Sequence, residues 1–141
     1  MMTDEMQKNL KILVISHEGC RNFIYKDIFG NESIGIGYNI QERGLSDAVI
    51  NDQYNEDVNF YYNSLLRDYP WYSELNEARQ ISLIDMAFMG YKKLTEFTRM
   101  MAAFAEKDYD AASREILDSE WAKQVKGRAK EIATIVLTGV L

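Results

Sequence analysis

The amino-acid sequence predicts an α+β fold in which one helix comes first, a small β-hairpin follows, and helices make up the remainder. Two observations carry this prediction. The convincing strand signals lie between residues 19 and 44, and the apolar patterns after residue 44 have helical spacing. Helices segregated from a small sheet define the α+β class, and 141 residues are enough for one domain with a real core.

The first element is predicted to be an amphipathic helix. Met6, Leu10, Leu13 and Val14 recur at helical spacing, which places them on one face. Gly19 follows this pattern, and a glycine just after the last periodic residue is typical of a helix C-terminus. The first helix is therefore expected to end near Gly19.

A β-hairpin is predicted next. The segments 22–26 and 32–38 are rich in β-branched and aromatic residues, and the loop DIFGN separates them. Two such runs around a short loop that contains glycine are a hairpin signal. We expect no other strands.

The chain after Gly44 is predicted to be helical. Ser46 can cap a long helix that stops before Pro70. Asn76 can cap the next helix, whose apolar side chains leave little polar surface, so we expect this helix to be central and buried. Three more helices are predicted over 94–105, 109–117 and 125–137.

Composition and charge exclude several classes of function. A net charge of −6 argues against nucleic acid or an anionic membrane as a general partner, and no apolar run is long enough to span a bilayer. One cysteine and one histidine exclude an internal disulfide and a multi-histidine metal centre, so no metal and no cofactor are expected. The acidic, polar N-terminus does not resemble a secretory signal, so we expect synthesis in a cytoplasm.

Two carboxylates in the first segment are candidates for acid/base chemistry. Glu18 lies on the predicted apolar stripe and at a helix C-terminus, and both features favour its neutral, proton-donating form. Asp27 lies in a polar turn, where it can stay ionised. Two carboxylates in such different environments are typical of enzymes that cleave glycosidic bonds. The residues alone leave a second reading open, in which Glu18 is an ordinary helix-end acid and Asp27 an ordinary turn aspartate.

The surrounding residues resemble the active-site segment of the T-even phage lysozymes, which are phage-type muramidases of glycoside hydrolase family 24. The matching residues are His17-Glu18-Gly19, Phe23-Ile24-Tyr25-Lys26-Asp27, Gly30 and Ser33-Ile34-Gly35-Ile36-Gly37. The resemblance continues through Leu45-Ser46, Tyr54-Asn55-x-Asp57-Val58 and Met86-Ala87-Phe88 to Trp121, Gln124 and Arg128-Ala129-Lys130. It covers nearly the whole chain and implies a single lysozyme-like domain, with a small lobe at about 19–44 and a helical lobe formed by 1–18 and 45–141.

The resemblance implies catalytic roles for three residues. Glu18 would be the general acid that protonates the leaving glycosidic oxygen. Asp27 would stabilise the oxocarbenium-like transition state and, together with Ser33, would orient the water that attacks from the opposite face. The family inverts the anomeric centre, which requires carboxyl groups far enough apart to admit that water.

The resemblance also implies supporting residues. Arg128 matches the arginine that pairs with the catalytic glutamate, and Gln124, Gly35 and Tyr38 fall at supporting or substrate-binding positions. Gly35 and Gly37 are expected to give a flat strand over which a glycan can lie closely. Tyr38, where many members carry histidine, is expected to have a structural role.

The function that the resemblance implies is a muramidase that cleaves the β-1,4 bond between N-acetylmuramic acid and N-acetylglucosamine in peptidoglycan. Such a protein would act as a monomer on the cell wall, after holin-type release or as part of a virion. The alternative is a catalytically weak or inactive peptidoglycan-binding or phage structural module with the same fold. Two departures from the family pattern keep this alternative open: Ser33 replaces the usual threonine, and the interval from Tyr38 to Leu45 is short.

Overall fold

The computed structural model describes all 141 residues and confirms the α+β class, with nine α-helices and one small antiparallel sheet. The helices are α1 Asp4–Glu18, α2 Ile40–Arg43, α3 Asp47–Asp68, α4 Glu77–Ala87, α5 Tyr91–Thr95, α6 Thr98–Ala105, α7 Tyr109–Leu117, α8 Glu120–Val125 and α9 Gly127–Thr138. The strands are β1 Arg21–Lys26, β2 Glu32–Gly35 and β3 Tyr38–Asn39, and a 3-10 turn covers Tyr72–Glu74. None of the helices combines the length and the apolar character needed to cross a membrane.

The chain divides into two compact units, 1–53 and 54–141, and the division falls inside α3. The first unit contains α1, the sheet, α2 and the first residues of α3. The second unit contains the rest of α3 and α4 to α9. The grouping of residues 1–18 with a helical lobe stays a prediction.

Helix α1 ends at Gly19, as its sequence predicts, and its N-terminal cap is Thr3. Thr3 caps the N-terminus, where its Oγ1 accepts a hydrogen bond from the N–H of Met6 at 3.2 Å. Gly19 ends the helix with a φ of +79° and donates its N–H to the carbonyl oxygen of Ile15 at 2.8 Å. No residue of α1 is buried, so the apolar face that the sequence predicts is exposed.

The sheet has the order β1-β2-β3, with three strands where the sequence predicts two. The predicted second strand, 32–38, is interrupted: β2 ends at Gly35, and β3 begins at Tyr38. The reason is conformational, because Gly35 and Gly37 have φ values of +65° and +61°, which an extended strand does not allow. Gly35 still pairs with Arg21 as the last residue of β2, but Gly37 lies in the turn to β3, so the expectation of one flat strand through both glycines is wrong. The chain turns there and pairs back on itself.

Central strand β2 is the most enclosed part of the first unit. Ser33 pairs with Tyr25 of β1 on one side and with Asn39 of β3 on the other. It is 2% exposed and is the one buried residue in 1–53.

The capping residues predicted for the two long helices are confirmed. The N–H of Val49 donates to Ser46 Oγ at 3.3 Å at the start of α3, which ends at Asp68, before Pro70. The N–H of Arg79 donates to Asn76 Oδ1 at 3.0 Å at the start of α4. The prediction that α4 is a buried, central helix is also confirmed, since five of its residues are buried: Ala78, Ser82, Leu83, Met86 and Ala87.

Two of the three remaining predicted helices are broken in the structure. The segment 94–105 falls into α5 and α6, which are separated at Glu96 and Phe97, and the segment 125–137 begins with the last residue of α8 before α9 starts. The second break lies at Lys126, which has a φ of +47°. The sequence carries no local signal for the first break, because neither Glu96 nor Phe97 is a helix-breaking residue type, whereas the second break at Lys126 is directly followed by Gly127. The third helix, Tyr109–Leu117, has the predicted bounds.

The core of the second unit is formed by α3 to α9. Trp71 stacks on Phe104 with ring centroids 5.5 Å apart. Ser113 Oγ donates to the carbonyl oxygen of Ala133 at 2.8 Å, which joins α7 to α9. The largest fully buried hydrophobic side chains are Tyr72, Phe104, Leu65, Leu83, Met86, Leu94, Met100, Ile116 and Val136.

Candidate active site

Glu18 is the last residue of α1, and its side chain lies against the turn between β2 and β3. A Cβ atom built on Gly37 would be 2.8 Å from Glu18 Oε2 and 3.1 Å from Glu18 Cβ. Only a residue without a side chain leaves room for the acid at this distance. Glu18 itself is exposed, so the apolar surroundings predicted from the helical stripe are not found around it.

Asp27 directly follows β1 and organises the loop to β2. Its Oδ1 accepts the N–H of Phe29 at 2.9 Å and the N–H of Asn31 at 2.8 Å, and its own N–H donates to the carbonyl oxygen of Asn31 at 2.9 Å. Both side-chain hydrogen bonds use the same carboxylate oxygen. The carboxylate is thus held in one orientation by backbone donors, with Oδ2 left for other partners.

Ser33 follows Asp27 across the same loop, on the strand opposite β1. Its backbone partner in β1 is Tyr25, two residues before Asp27. The sheet therefore attaches the second predicted carboxylate and the predicted hydroxyl residue to the same pair of strands. Because β1 and β2 are antiparallel and joined by a short loop, Asp27 and Ser33 belong to the same hairpin although they are six positions apart in sequence.

Tyr38 contacts the end of α2 through its hydroxyl group and its ring. Its hydroxyl group donates to the carbonyl oxygen of Gly44 at 2.5 Å, and the guanidinium of Arg43 lies 4.4 Å from the centre of its ring. These contacts join β3 to the end of α2, so the short interval after Tyr38 is a compact turn of helix. Gly35 has no atom within 4 Å of a built Cβ, which leaves open space beside it.

Arg128, near the start of α9, is bonded to Asp85 of α4. Its Nε and Nη2 donate to Asp85 Oδ1 at 3.1 and 2.9 Å, and Nη2 also donates to the carbonyl oxygen of Asp85 at 2.8 Å. The guanidinium lies 5.6 Å from the ring centre of Trp121. The predicted pairing of Arg128 with Glu18 stays a prediction.

Gln124 lines a cleft in the second unit with a volume of about 560 Å³. Trp121 and Phe97 contribute aromatic rings to the same wall, and Trp121 is 8% exposed. Charged side chains of both signs surround this wall: Lys93, Glu96, Arg99, Glu115, Asp118 and Glu120. The predicted residue Gln124 is therefore accessible to a ligand.

Sequence reasoning missed Asp85 and, although it named Gly37, it missed the closeness of Gly37 to Glu18. The signal for Asp85 is visible in retrospect, because it is a single acid inside the apolar run of a buried helix, where charged residues are rare unless they are paired. The signal for Gly37 is weaker, since a glycine at the end of a strand has several ordinary explanations. No group of three or more His, Cys, Asp or Glu side chains is arranged to hold a metal ion.

Comparisons with known proteins agree with the fold. No protein-family model matches the chain. The chain is similar to the pre-baseplate central spike protein Gp5 of Enterobacteria phage T4, with 29% identity over 153 aligned positions, and the match covers 88% of this chain but only 27% of that protein. It is also similar to the probable T4-type lysozymes 2 and 1 of Dictyostelium discoideum, with 24% and 25% identity over 166 aligned positions that cover 96% of this chain and 98% of each relative.

The fold and these matches define a lysozyme-like protein of the α+β class. The chain is a distant homologue of T4-type lysozymes. It spans about a quarter of the length of the phage spike protein and nearly the full length of the two Dictyostelium relatives.

Proposed function

We propose that this protein is a peptidoglycan hydrolase, specifically a muramidase of the phage type assigned to glycoside hydrolase family 24. It cleaves the β-1,4 bond between N-acetylmuramic acid and N-acetylglucosamine and thereby lyses bacterial cell walls. One structural observation supports this most strongly. Asp27 Oδ1 accepts two backbone N–H groups in the loop before β2, and the Glu18 side chain lies against the turn after β2, so the two proposed catalytic carboxylates lie at the two ends of one strand.

In the proposed reaction Glu18 is the general acid. Its exposed carboxyl group protonates the glycosidic oxygen as the bond to the leaving sugar breaks. Asp27 stabilises the positive charge that develops on the other sugar, since its Oδ1 is already bonded to two backbone N–H groups and Oδ2 can face the ring. Ser33 and Asp27 orient the water that attacks the opposite face, so the anomeric configuration is inverted.

The second unit supplies supporting residues in this proposal. Arg128 carries five N–H donors, and Asp85 accepts bonds from only two of its three nitrogens, so the guanidinium retains donors for a further carboxylate. Gln124 can hydrogen-bond the substrate from the wall of its cleft. The protein acts as a monomer on peptidoglycan, without a cofactor, and reaches the wall after holin-type release from the host cytoplasm or as part of a virion.

The similarity to a phage spike protein favours one alternative, a phage structural or peptidoglycan-binding module without turnover. Clearing of outer-membrane-permeabilised cells, followed by mass spectrometry of the released muropeptides, separates the two. Products that end in reducing N-acetylmuramic acid support the muramidase, and 1,6-anhydro ends would indicate a lytic transglycosylase. Binding to sacculi without any release would support the alternative.

Glu18→Gln is the matched control for this assay. The amide is similar in size and cannot donate the proton that the leaving oxygen needs, so lysis should fall by about 10²–10⁴-fold. Circular dichroism should show an unchanged helical content, because α1 already ends at Glu18 and its side chain caps no helix. A residual activity above about a tenth of the wild-type value would contradict the role of Glu18 as the acid.

A further inference from the structure

The loop between β1 and β2 exposes two large apolar side chains in a row. Ile28 is 93% exposed and Phe29 is 82% exposed, although loop positions between strands are normally polar. Single exposed apolar residues are common on proteins, so exposure alone identifies no site. A second observation, the hydrogen bond between Phe29 and Asp27, distinguishes this exposed residue from others.

Phe29 is tied to the carboxylate of Asp27 by a hydrogen bond. Its N–H donates to Asp27 Oδ1 at 2.9 Å, and the N–H of Gly30 donates to the carbonyl oxygen of Asp27 at 3.0 Å. Gly30 supplies the positive φ of +82° that closes the turn. The ring of Phe29 is therefore presented by a hydrogen-bonded turn, two residues from the group that is proposed to act on the sugar.

We propose that Phe29 binds the glycan strand by stacking its ring on the face of a pyranose next to the bond that is cleaved. The inference rests on the proposed function, since it takes Asp27 as the group that faces the substrate. In β-linked glucosamine derivatives the ring substituents are equatorial, so both faces of the sugar present C–H groups. The negative face of an aromatic ring attracts such polarised hydrogen atoms.

The size of the apolar tip favours a sugar over a protein as its partner. The tip consists of Ile28 and Phe29, whereas a specific protein interface buries about 800 Å² on each partner. One pyranose ring matches the area of one aromatic ring. Phe23 and Ile24 of β1 are also exposed, at 85% and 56%, but neither is bonded to the carboxylate of Asp27, and β3 has only two residues, Tyr38–Asn39.

The test compares Phe29→Ser with Phe23→Ser in the full chain. Phe23 lies on β1 and is 85% exposed, so it is an equally exposed aromatic residue without a bond to Asp27. Two quantities are measured: KM for hydrolysis of peptide-free glycan strands, and Kd for the same strands in a Glu18→Gln background, where no turnover interferes. Phe29→Ser should raise both KM and Kd about tenfold, because the loss of one aromatic contact weakens binding by about that factor. The effect on kcat should be smaller.

Phe29→Trp should restore both constants, and Phe23→Ser should leave them within about twofold of their starting values. Equal effects of Phe29→Ser and Phe23→Ser, or an unchanged Kd in Phe29→Ser, would overturn the stacking proposal. A wild-type protein that binds strands through Phe29 but releases no product would instead overturn the hydrolase proposal and leave the stacking in place. Thermal melting of each variant verifies that the fold is retained.

Discussion

The carboxylate of Glu18 occupies the space that a side chain on Gly37 would need. A Cβ built on Gly37 would lie 2.8 Å from Glu18 Oε2 and 3.0 Å from Glu18 Cγ. Real Cβ atoms essentially never approach another heavy atom as closely as 2.8 Å. The end of α1 and the turn after β2 are therefore matched to each other. The position of the proposed general acid therefore depends on the absence of a side chain at Gly37, in the turn between β2 and β3.

Gly37→Ala should reduce lytic activity at least tenfold, because the new methyl group displaces the Glu18 carboxylate, and a shift of about 1 Å at a reacting group can cost about 10²-fold in rate. The substitution also costs about 1–2 kcal/mol in stability, since Gly37 has a φ of +61°. Clearing of permeabilised cells and urea unfolding measure the two effects separately.

Gly44→Ala is the control for Gly37→Ala. Gly44 has a φ of +59° but no atom within 4 Å of a built Cβ, so it shares the backbone strain without the collision. It should lose similar stability and keep its activity. Equal losses of activity in the two variants would show that the contact with Glu18 is irrelevant.

Asp27→Asn should abolish activity while it preserves the loop between β1 and β2. An asparagine Oδ1 can still accept the N–H groups of Phe29 and Asn31, but the side chain has no negative charge to stabilise the transition state. Asp27→Ala should lose both the activity and the loop. Amide hydrogen exchange at Phe29 and Asn31 reports the loop, and product release from sacculi reports the reaction. Full activity in Asp27→Asn would exclude an electrostatic role.

Arg79→Lys should destabilise the second unit by about 1–3 kcal/mol, since hydrogen bonds from a charged donor contribute about 1.5–3 kcal/mol. Arg79 Nε and Nη2 donate to the carbonyl oxygens of Val136 and Leu137 at 2.7 and 3.1 Å, and the guanidinium lies 3.6 Å from the ring centre of Tyr109. A lysine cannot reproduce this planar arrangement. Urea unfolding measures the loss.

Arg67→Lys provides the comparison for Arg79→Lys. Arg67 bonds only to the neighbouring Asp68 at the surface, so its replacement should change the free energy of unfolding by less than about 0.5 kcal/mol. If both lysine variants are equally stable, the contacts of Arg79 with the end of α9 contribute nothing measurable.

Asp68 should make stability depend on pH in the acid range. Its carboxylate accepts hydrogen bonds from Arg67 and from the Tyr91 hydroxyl, and these bonds, that of Arg67 first, lower its pKa to about 2. Because the pKa is lower in the folded state, the stabilisation is complete above the unfolded value of about 3.9 and is lost as the pH falls toward 2. Asp68→Asn should therefore be less stable than the wild type at neutral pH, and the difference should shrink between pH 4 and 2.

Melting temperatures of both proteins from pH 2 to 7 test this prediction. Tyr91→Phe, which removes one of the donors, should show a smaller effect in the same direction. A difference between wild type and Asp68→Asn that stays constant across this range would mean that the carboxylate does not titrate as its contacts imply.

The sequence was sufficient for the helices that carry their own boundary signals. Ser46 and Asn76 provide side-chain oxygens for the first N–H groups of α3 and α4, and Gly19 provides the positive φ that ends α1. At Lys126 the break is directly followed by Gly127, which is a local signal, but the sequence was not sufficient at Phe97, where the helix breaks without glycine or proline beside it. Tertiary packing overrides local preference there, and no periodicity reveals it.

The same distinction between local sequence signals and tertiary packing applies to the candidate site. Local spacing determined that Glu18 ends a helix, that Asp27 occupies a turn and that Ser33 follows on the next strand, because hydrogen bonds between near neighbours in sequence set each of these features. Only the tertiary structure decided that Gly37 lies against Glu18 and that Arg128 bonds Asp85. Such contacts join residues far apart in the chain, so they depend on strand register and on how helices pack, and neither quantity is contained in any local stretch of sequence.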